Sequence, residues 1–174
     1  MITFTPLAES DHSHFAQNLF EEAFPEQERP PFSSLRQRDA GQFRFLVAEN
    51  GDEPVGILTY WTFPDLIYIE HFAIAEELRN QGLGKAAFLY FLSQQQEQVV
   101  LEVETPHNEE SEHRVEFYAS MGLFRNPQPY TQPPYRPGGQ EVEMILMSKY
   151  ELDDEEFAEI RDLLYLKVYG KTAV

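Results

Sequence analysis

Apolar and polar residues alternate over Ile2-Thr3-Phe4-Thr5-Pro6-Leu7, which predicts a short strand stopped near its proline. Phe15, Leu19, Phe20 and Ala23 then recur at helical spacing, with Ser10 and Asp11 ahead of them as caps and Pro25 as the stop. A turn-rich stretch from Pro25 to Pro31 leads to a second short helix, whose start is marked by Ser34 three residues before Gln37, the spacing of a capping box. Two alternating runs, 43–49 and 54–63, flank Asn50-Gly51-Asp52. Asn-Gly predicts a tight hairpin in which both central residues take positive φ. A third run, 66–74, extends an antiparallel meander. Residues 84–96 read as a helix with Ala86, Phe88, Leu89 and Leu92 inward, and 99–103 as the strand after it. Residues 111–121 form a helix ended by Gly122, and 141–147 alternate again. The order β-α-α-β-β-β-α-β-α-β implies a mixed sheet with helices on both faces. A last amphipathic helix, 153–169, has an acidic first turn and Gly170 as its stop. The reading divides the chain into a domain over 1–150 and a helical appendage over 151–174.

Composition narrows the class. The 174 residues are long enough for one core. The 42% hydrophobic content excludes a disordered chain. With 13 basic against 30 acidic residues the charge is −17, too few cations for a phosphate-tracking face, so nucleic acid is not an expected partner. Cysteine is absent, which removes disulfides, thiolate metal sites and cysteine nucleophiles. The N-terminus lacks a signal-peptide pattern and no apolar run has membrane-spanning length, so a cytoplasmic protein without a membrane partner is expected.

The charge pattern singles out one loop. Between residues 61 and 120 the basic residues are Arg79, Lys85 and Arg114, and two of those three bracket Gly82 and Gly84. Successive backbone N–H groups at a helix start can receive an anion, and glycine lets the backbone come close to it. A P-loop is excluded because the spacing is wrong and Ala86 stands where Ser or Thr is required. A dinucleotide fingerprint fits poorly, because Ala75-Glu76-Glu77-Leu78 separates the glycines from their strand.

Arg79-x-x-Gly82-x-Gly84 matches the Q/R-x-x-G-x-G/A signature of the GCN5-related N-acetyltransferases, the GNAT superfamily. Residues Ile69-Glu70-His71-Phe72-Ala73-Ile74 resemble the fourth strand of that family. Phe117-Tyr118-Ala119-Ser120-Met121-Gly122-Leu123 resembles its F-Y-x-x-x-G-F helix end. The resemblance runs over about residues 2 to 148 in element order and implies an α/β (α+β) fold, a GNAT-like mixed and mostly antiparallel sheet flanked by helices. It also implies acetyl-CoA binding in an opening between the fourth and fifth strands. The backbone of Phe72 and Ile74 would pair with the pantetheine arm. Arg79, Asn80, Gln81, Gly82, Leu83, Gly84 and Lys85 would hold the pyrophosphate. One position departs from the pattern: Ser111 stands where such proteins often carry Asn, seven residues before the helix tyrosine.

Acetyl transfer from a thioester to an amine needs a neutral amine and a protonated leaving group. The resemblance makes Tyr118 the acid toward the departing sulfur. Glu70 is the candidate base, placed by strand alternation on one face with Tyr68 and Phe72, where desolvation raises a carboxyl pKa. Glu102 and Glu104 are reserve bases, or groups facing solvent or a cation. Alternation puts His71 on the face opposite Glu70, against a helix. His12 and His14 are two apart on a helix and cannot share a face, so no metal is expected.

Residues 125–140 hold five of the twelve prolines and read as a stiff aromatic loop or a polyproline ligand. In GNAT-like folds such a loop rims the acceptor site, which makes Tyr130, Gln132 and Tyr135 acceptor-shaping residues together with 24–32. The combined expectation is an acetyl-CoA-dependent N-acetyltransferase acting by direct attack on a small amine or peptide. The alternative is a non-catalytic acyl-CoA sensor. The stripe Phe157, Ile160, Leu164 and Val168 docks on the chain's own core or on a second copy, giving a monomer or a homodimer.

Overall fold

Strand alternation is carried through the first half of the chain by a four-strand antiparallel meander: β1 (Ile2–Pro6), β2 (Phe43–Asn50), β3 (Glu53–Phe63) and β4 (Leu66–Ile74). The computed structural model describes residues 1–38 and 41–171, which fall into two units, Met1–Val99 and Val100–Val174. In the first unit α1 (Ser13–Ala23) and α2 (Phe32–Arg38) cover one face of the meander. The buried Ala16, Leu19 and Phe20 of α1 pack on Phe43, Phe45 and Val47 of β2 and Ile57 of β3. Helix α3 (Leu83–Ser93) covers the other face, where Phe91 meets Phe4 and Tyr60, and Phe88 meets Phe72.

The β2–β3 hairpin forms, with a different turn from the expected one. Asn50 pairs with Glu53, so the central residues are Gly51 and Asp52, and of these only Gly51 has positive φ (67°). The capping box expected at Ser34 is absent. Helix α2 is already under way at Phe32, and the Ser34 hydroxyl donates back to the Pro31 carbonyl at 2.7 Å. Helix α3 buries Ala87, Phe88 and Phe91, whereas Leu89 is exposed and Ala86 lies outward. Its sequence is apolar nearly all round, so periodicity alone could not choose the face.

The second unit centres on β8 (Val142–Ser148), which pairs antiparallel with β5 (Gln98–Glu104), β6 (Phe124–Arg125) and β7 (Tyr130–Gln132). The short strands β6 and β7 lie in and beside the stretch read from sequence as a loop. Helix α4 (Glu109–Ser120) starts on a capping box between Asn108 and Ser111 and ends at Gly122 (φ 91°). There the Gly122 and Leu123 N–H groups donate to the Ala119 and Tyr118 carbonyls, the bond pair of a Schellman motif. Helix α5 (Asp154–Lys167) is capped by Asp153 and Glu156 and packs within its own unit. Phe157, Leu164 and Val168 are buried, and the Tyr165 hydroxyl donates to the Thr131 carbonyl of β7. Among the described residues no helix is long and apolar enough to cross a membrane.

Candidate active site

The glycine loop follows β4 through a single 3-10 turn, Glu76–Leu78. Arg79 turns its Nε back to donate to the Ile74 carbonyl at 3.1 Å, tying the loop to the end of its strand. Asn80 (φ 62°) and Gly82 (φ 77°) are both left-handed, with Gln81 between them. Such alternation turns successive N–H groups into one concavity. Gly82 is the N-cap of α3, and the helical ladder opens with the Ala86 N–H donating to the Gly82 carbonyl at 3.0 Å. The first-turn N–H groups of Leu83, Gly84 and Lys85 therefore point out of the helix end, where the dipole favours negative charge. A Cβ on Gly82 would meet nothing within 4 Å, so the glycine is required by its backbone angle rather than by crowding within the chain. The arrangement suits a polyanion, with Lys85 exposed beside it.

On β4 the structure corrects the sequence reading. Thr59 lies opposite His71 and Tyr60 opposite Ile69, so the register with β3 skips Glu70, which is an extra residue on β4. A bulge of this kind interrupts alternation. Glu70 and His71 consequently both turn toward the α1/α2 face, where alternation had placed them on opposite faces. Phe72 turns the other way, to Phe88 of α3, so it does not share the face of Glu70. Tyr68, opposite Trp61, does.

The Glu70 side chain is fully buried. Its carboxylate accepts a hydrogen bond from Trp61 Nε1 at 2.9 Å and lies 3.5 Å from Arg38 Nη1 at the end of α2. Neither partner was legible in the sequence, since nothing in the spacing links residues 38, 61 and 70. His71 is buried between the rings of Phe20 and Phe24, with Nδ1 against the Thr59 hydroxyl (3.3 Å) and Nε2 against the Glu28 carbonyl (3.0 Å). A carbonyl only accepts, so Nε2 carries the proton. Burial lowers the imidazole pKa from its usual value, against an opposing pull from Glu70.

In the second unit Tyr118 is buried on α4 beside Phe117, with ring centroids 5.2 Å apart. Burial pushes its hydroxyl pKa up to about 12, with Arg114 pulling the other way. Ser111, the departure from the family pattern, serves the helix start. Its Oγ accepts from the His107 and Asn108 N–H groups at 2.9 and 3.0 Å, while its own N–H donates to Asn108 Oδ1 at 2.8 Å.

The same unit gathers the three acceptor-shaping residues read from sequence around a fourth that had been held in reserve. The Tyr130 hydroxyl donates to Glu102 Oε1, and the Tyr169 hydroxyl lies 2.9 and 2.7 Å from the two Glu102 oxygens. Gln132 Nε2 donates to the Tyr169 oxygen at 3.0 Å, and the Tyr135 hydroxyl lies 3.5 Å from it. Burial and the Glu102 charge both push the Tyr130 pKa upward, so its hydroxyl stays a donor. Tyr169 was missed in the sequence because it lies beyond the periodic apolar stripe of α5. A tyrosine directly after the last residue of that stripe, Val168, is the only signal available.

Comparison with known proteins gives a consistent picture. The model of the acetyltransferase (GNAT) family matches residues 13–123. A GNAT-family protein from Bacteroides thetaiotaomicron is 34% identical over 98% of this chain and 99% of its own, with a TM-score of 0.91. The fold is shared with the ribosomal-protein-S18-alanine N-acetyltransferase of Escherichia coli, at 17% identity, 85% and 92% coverage and a TM-score of 0.61. It is shared as well with an aminoglycoside 6′-N-acetyltransferase complexed with coenzyme A, at 16% identity, 86% and 96% coverage and a TM-score of 0.64. Among curated proteins none matches the chain.

Proposed function

Since the chain belongs to the acetyltransferase (GNAT) family, we propose that it is an acetyl-CoA-dependent N-acetyltransferase that acts on a primary amine by direct attack. The observation that carries this reading is the helix-start cradle, left-handed at Asn80 and Gly82 and opening the ladder only at Ala86. Its N–H groups from Asn80 to Lys85 fit a pyrophosphate. They would hold it with Lys85 nearby, and the backbone of Phe72 and Ile74 on β4 would hold the pantetheine arm. The Arg79 side chain, bonded to the Ile74 carbonyl, keeps cradle and strand end in register.

Bound acetyl-CoA supplies a thioester whose C–S bond breaks as the C–N bond forms, with one proton lost by nitrogen and one gained by sulfur. Tyr118 provides the hydrogen for the sulfur from a hydroxyl that is neutral across the physiological range. Glu70 receives the amine proton. Its carboxylate is covered, so the proton reaches it through an intervening water or hydroxyl. Arg38 and Trp61 hold that carboxylate in one orientation. No cysteine is present to carry an acetyl group, which supports direct attack.

Thermal unfolding with and without acetyl-CoA tests this reading without an acceptor in hand. Stabilisation of about 2.7 kcal/mol is expected at a hundredfold excess over Kd. No shift at millimolar acetyl-CoA would overturn it.

A further inference from the structure

At β1 the first unit has an open strand edge beside exposed apolar side chains. Among the described residues β1 ends the meander and pairs with β2 alone. The Gly51 N–H donates to the Met1 carbonyl at 3.3 Å, which fixes the hydrogen-bonding parity along this antiparallel pair. Thr3 and Thr5 therefore bond to β2, and the N–H and C=O groups of Ile2 and Phe4 point away from it. Pro6 shares the outward parity, a position where a missing N–H costs no bond to β2. Apolar surface continues from this edge onto α3. Phe4 stacks on Tyr90, with centroids 6.1 Å apart and planes 10° from parallel. Ile2, Phe4 and Pro6 share that face by alternation and are only half-buried. Ala86, Leu89, Tyr90 and Ser93 follow at helical spacing and are exposed, Leu89 by 40% and Tyr90 by 43%. Charge is the usual protection of such an edge, yet neither β1 nor α3 contains an acidic residue. A second copy of a chain at −17 is repelled by acidic faces, which α1, α4 and α5 carry and β1 and α3 do not.

From this we propose that β1 and the outer face of α3 form a self-complementary interface, through which two copies of the chain join their meanders in a two-fold dimer. An antiparallel match centred on Thr3 sets Ile2 of each copy opposite Phe4 of the other, and the outward groups of each such pair exchange N–H···O=C bonds. Pro6, with no N–H to give, falls outside the overlap. The two-fold axis stands perpendicular to the paired strands' sheet, so both α3 helices lie on one side of it, with the Phe4–Tyr90 stack of each copy beside the seam. The dimer stands or falls independently of acetyl-CoA binding.

Sedimentation velocity of the full chain from about 2 to 500 µM, in low salt and in about 0.5 M salt, is the test. A monomer–dimer equilibrium is expected, tighter in high salt because screening relieves the repulsion between two chains at −17. Ile2→Pro removes an outward N–H, and Tyr90→Glu sets like charges on the two sides of the seam. Each is expected to weaken the dimer about tenfold or more. Amide exchange followed by NMR reads the register: the Phe4 N–H should exchange more slowly as concentration rises, while Thr3 and Thr5, already bonded to β2, change less. A chain that stays monomeric up to about 500 µM overturns the proposal, as does a dimer that loosens in high salt. Equal affinity in the wild type and either correctly folded variant overturns it as well. So does a dimer that leaves the Phe4 exchange rate unchanged, because its interface then lies elsewhere.

Discussion

Glu70 and His71 are consecutive residues of β4 whose side chains turn to the same face of the sheet, because β3 pairs with His71 and Ile69 and leaves Glu70 as a bulge. The bulge delivers the Glu70 carboxylate to Trp61 and Arg38. It also delivers the His71 ring to Thr59 and the Glu28 carbonyl. Two polar side chains are thus buried under α1 and α2 where regular alternation would bury one.

Glu70→Gln keeps an acceptor for the Trp61 N–H and removes the charge. Acetyl transfer to an amine is expected to fall about a hundredfold or more, with acetyl-CoA affinity unchanged. Steady-state rates against the thermal shift with acetyl-CoA check this. A mutant as fast as the wild type removes Glu70 as the base.

Tyr118→Phe removes one hydroxyl from a buried ring. Turnover is expected to drop by ten- to ten-thousand-fold, on the order of general acid effects, while acetyl-CoA still stabilises the fold. Equal turnover in the two proteins would show that the hydroxyl serves packing and not proton transfer, whereas acetyl-CoA binding without turnover in the wild type itself would favour a non-catalytic sensor.

Gly82→Ala imposes a side chain on a residue at φ 77°. Its Cβ meets nothing in the chain, so the loss of stability should be limited to about 1 kcal/mol of backbone strain. Acetyl-CoA binding should suffer far more, because the same Cβ enters the cradle. Gly82→Val extends the obstruction, and titration of acetyl-CoA against both variants gives the ranking. Unchanged affinity would reduce the loop to a turn.

Stability should fall on both sides of neutrality for identified reasons. His71 has a lowered pKa in the folded chain, so below its ordinary value near 6.5 the unfolded chain takes up a proton that the folded chain refuses. Its contribution is present above that pH and is lost as pH falls. Tyr118 has a raised pKa of about 12 against an ordinary 10, so the unfolded chain loses its proton first. Its contribution is complete below pH 10 and disappears as pH rises through about 12, at a cost of about 3 kcal/mol. Chemical denaturation across pH reads both limbs. His71→Phe should flatten the acid limb if desolvation is its cause.

Most of the element order was legible, since local periodicity dictates it. The bounds of β4 match the alternating run 66–74, and Gly122 ends α4 through the left-handed angle that only glycine adopts cheaply. The Arg79-to-Gly84 pattern marked the cradle for a related reason: left-handed angles and open helix ends depend on residues within a few positions of each other. What sequence could not show depends on residues far apart in the chain. The bulge at Glu70 is set by pairing with β3, twelve residues from His71 to Thr59. The strand β7 exists because β8 offers it an edge, despite the prolines on either side of it. Glu102 becomes the centre of a cluster only when Tyr169, sixty-seven residues on, is brought to it by the packing of α5. Local backbone preference chose the elements and the left-handed glycine loop at the start of α3. Burial and long-range pairing chose which polar groups meet.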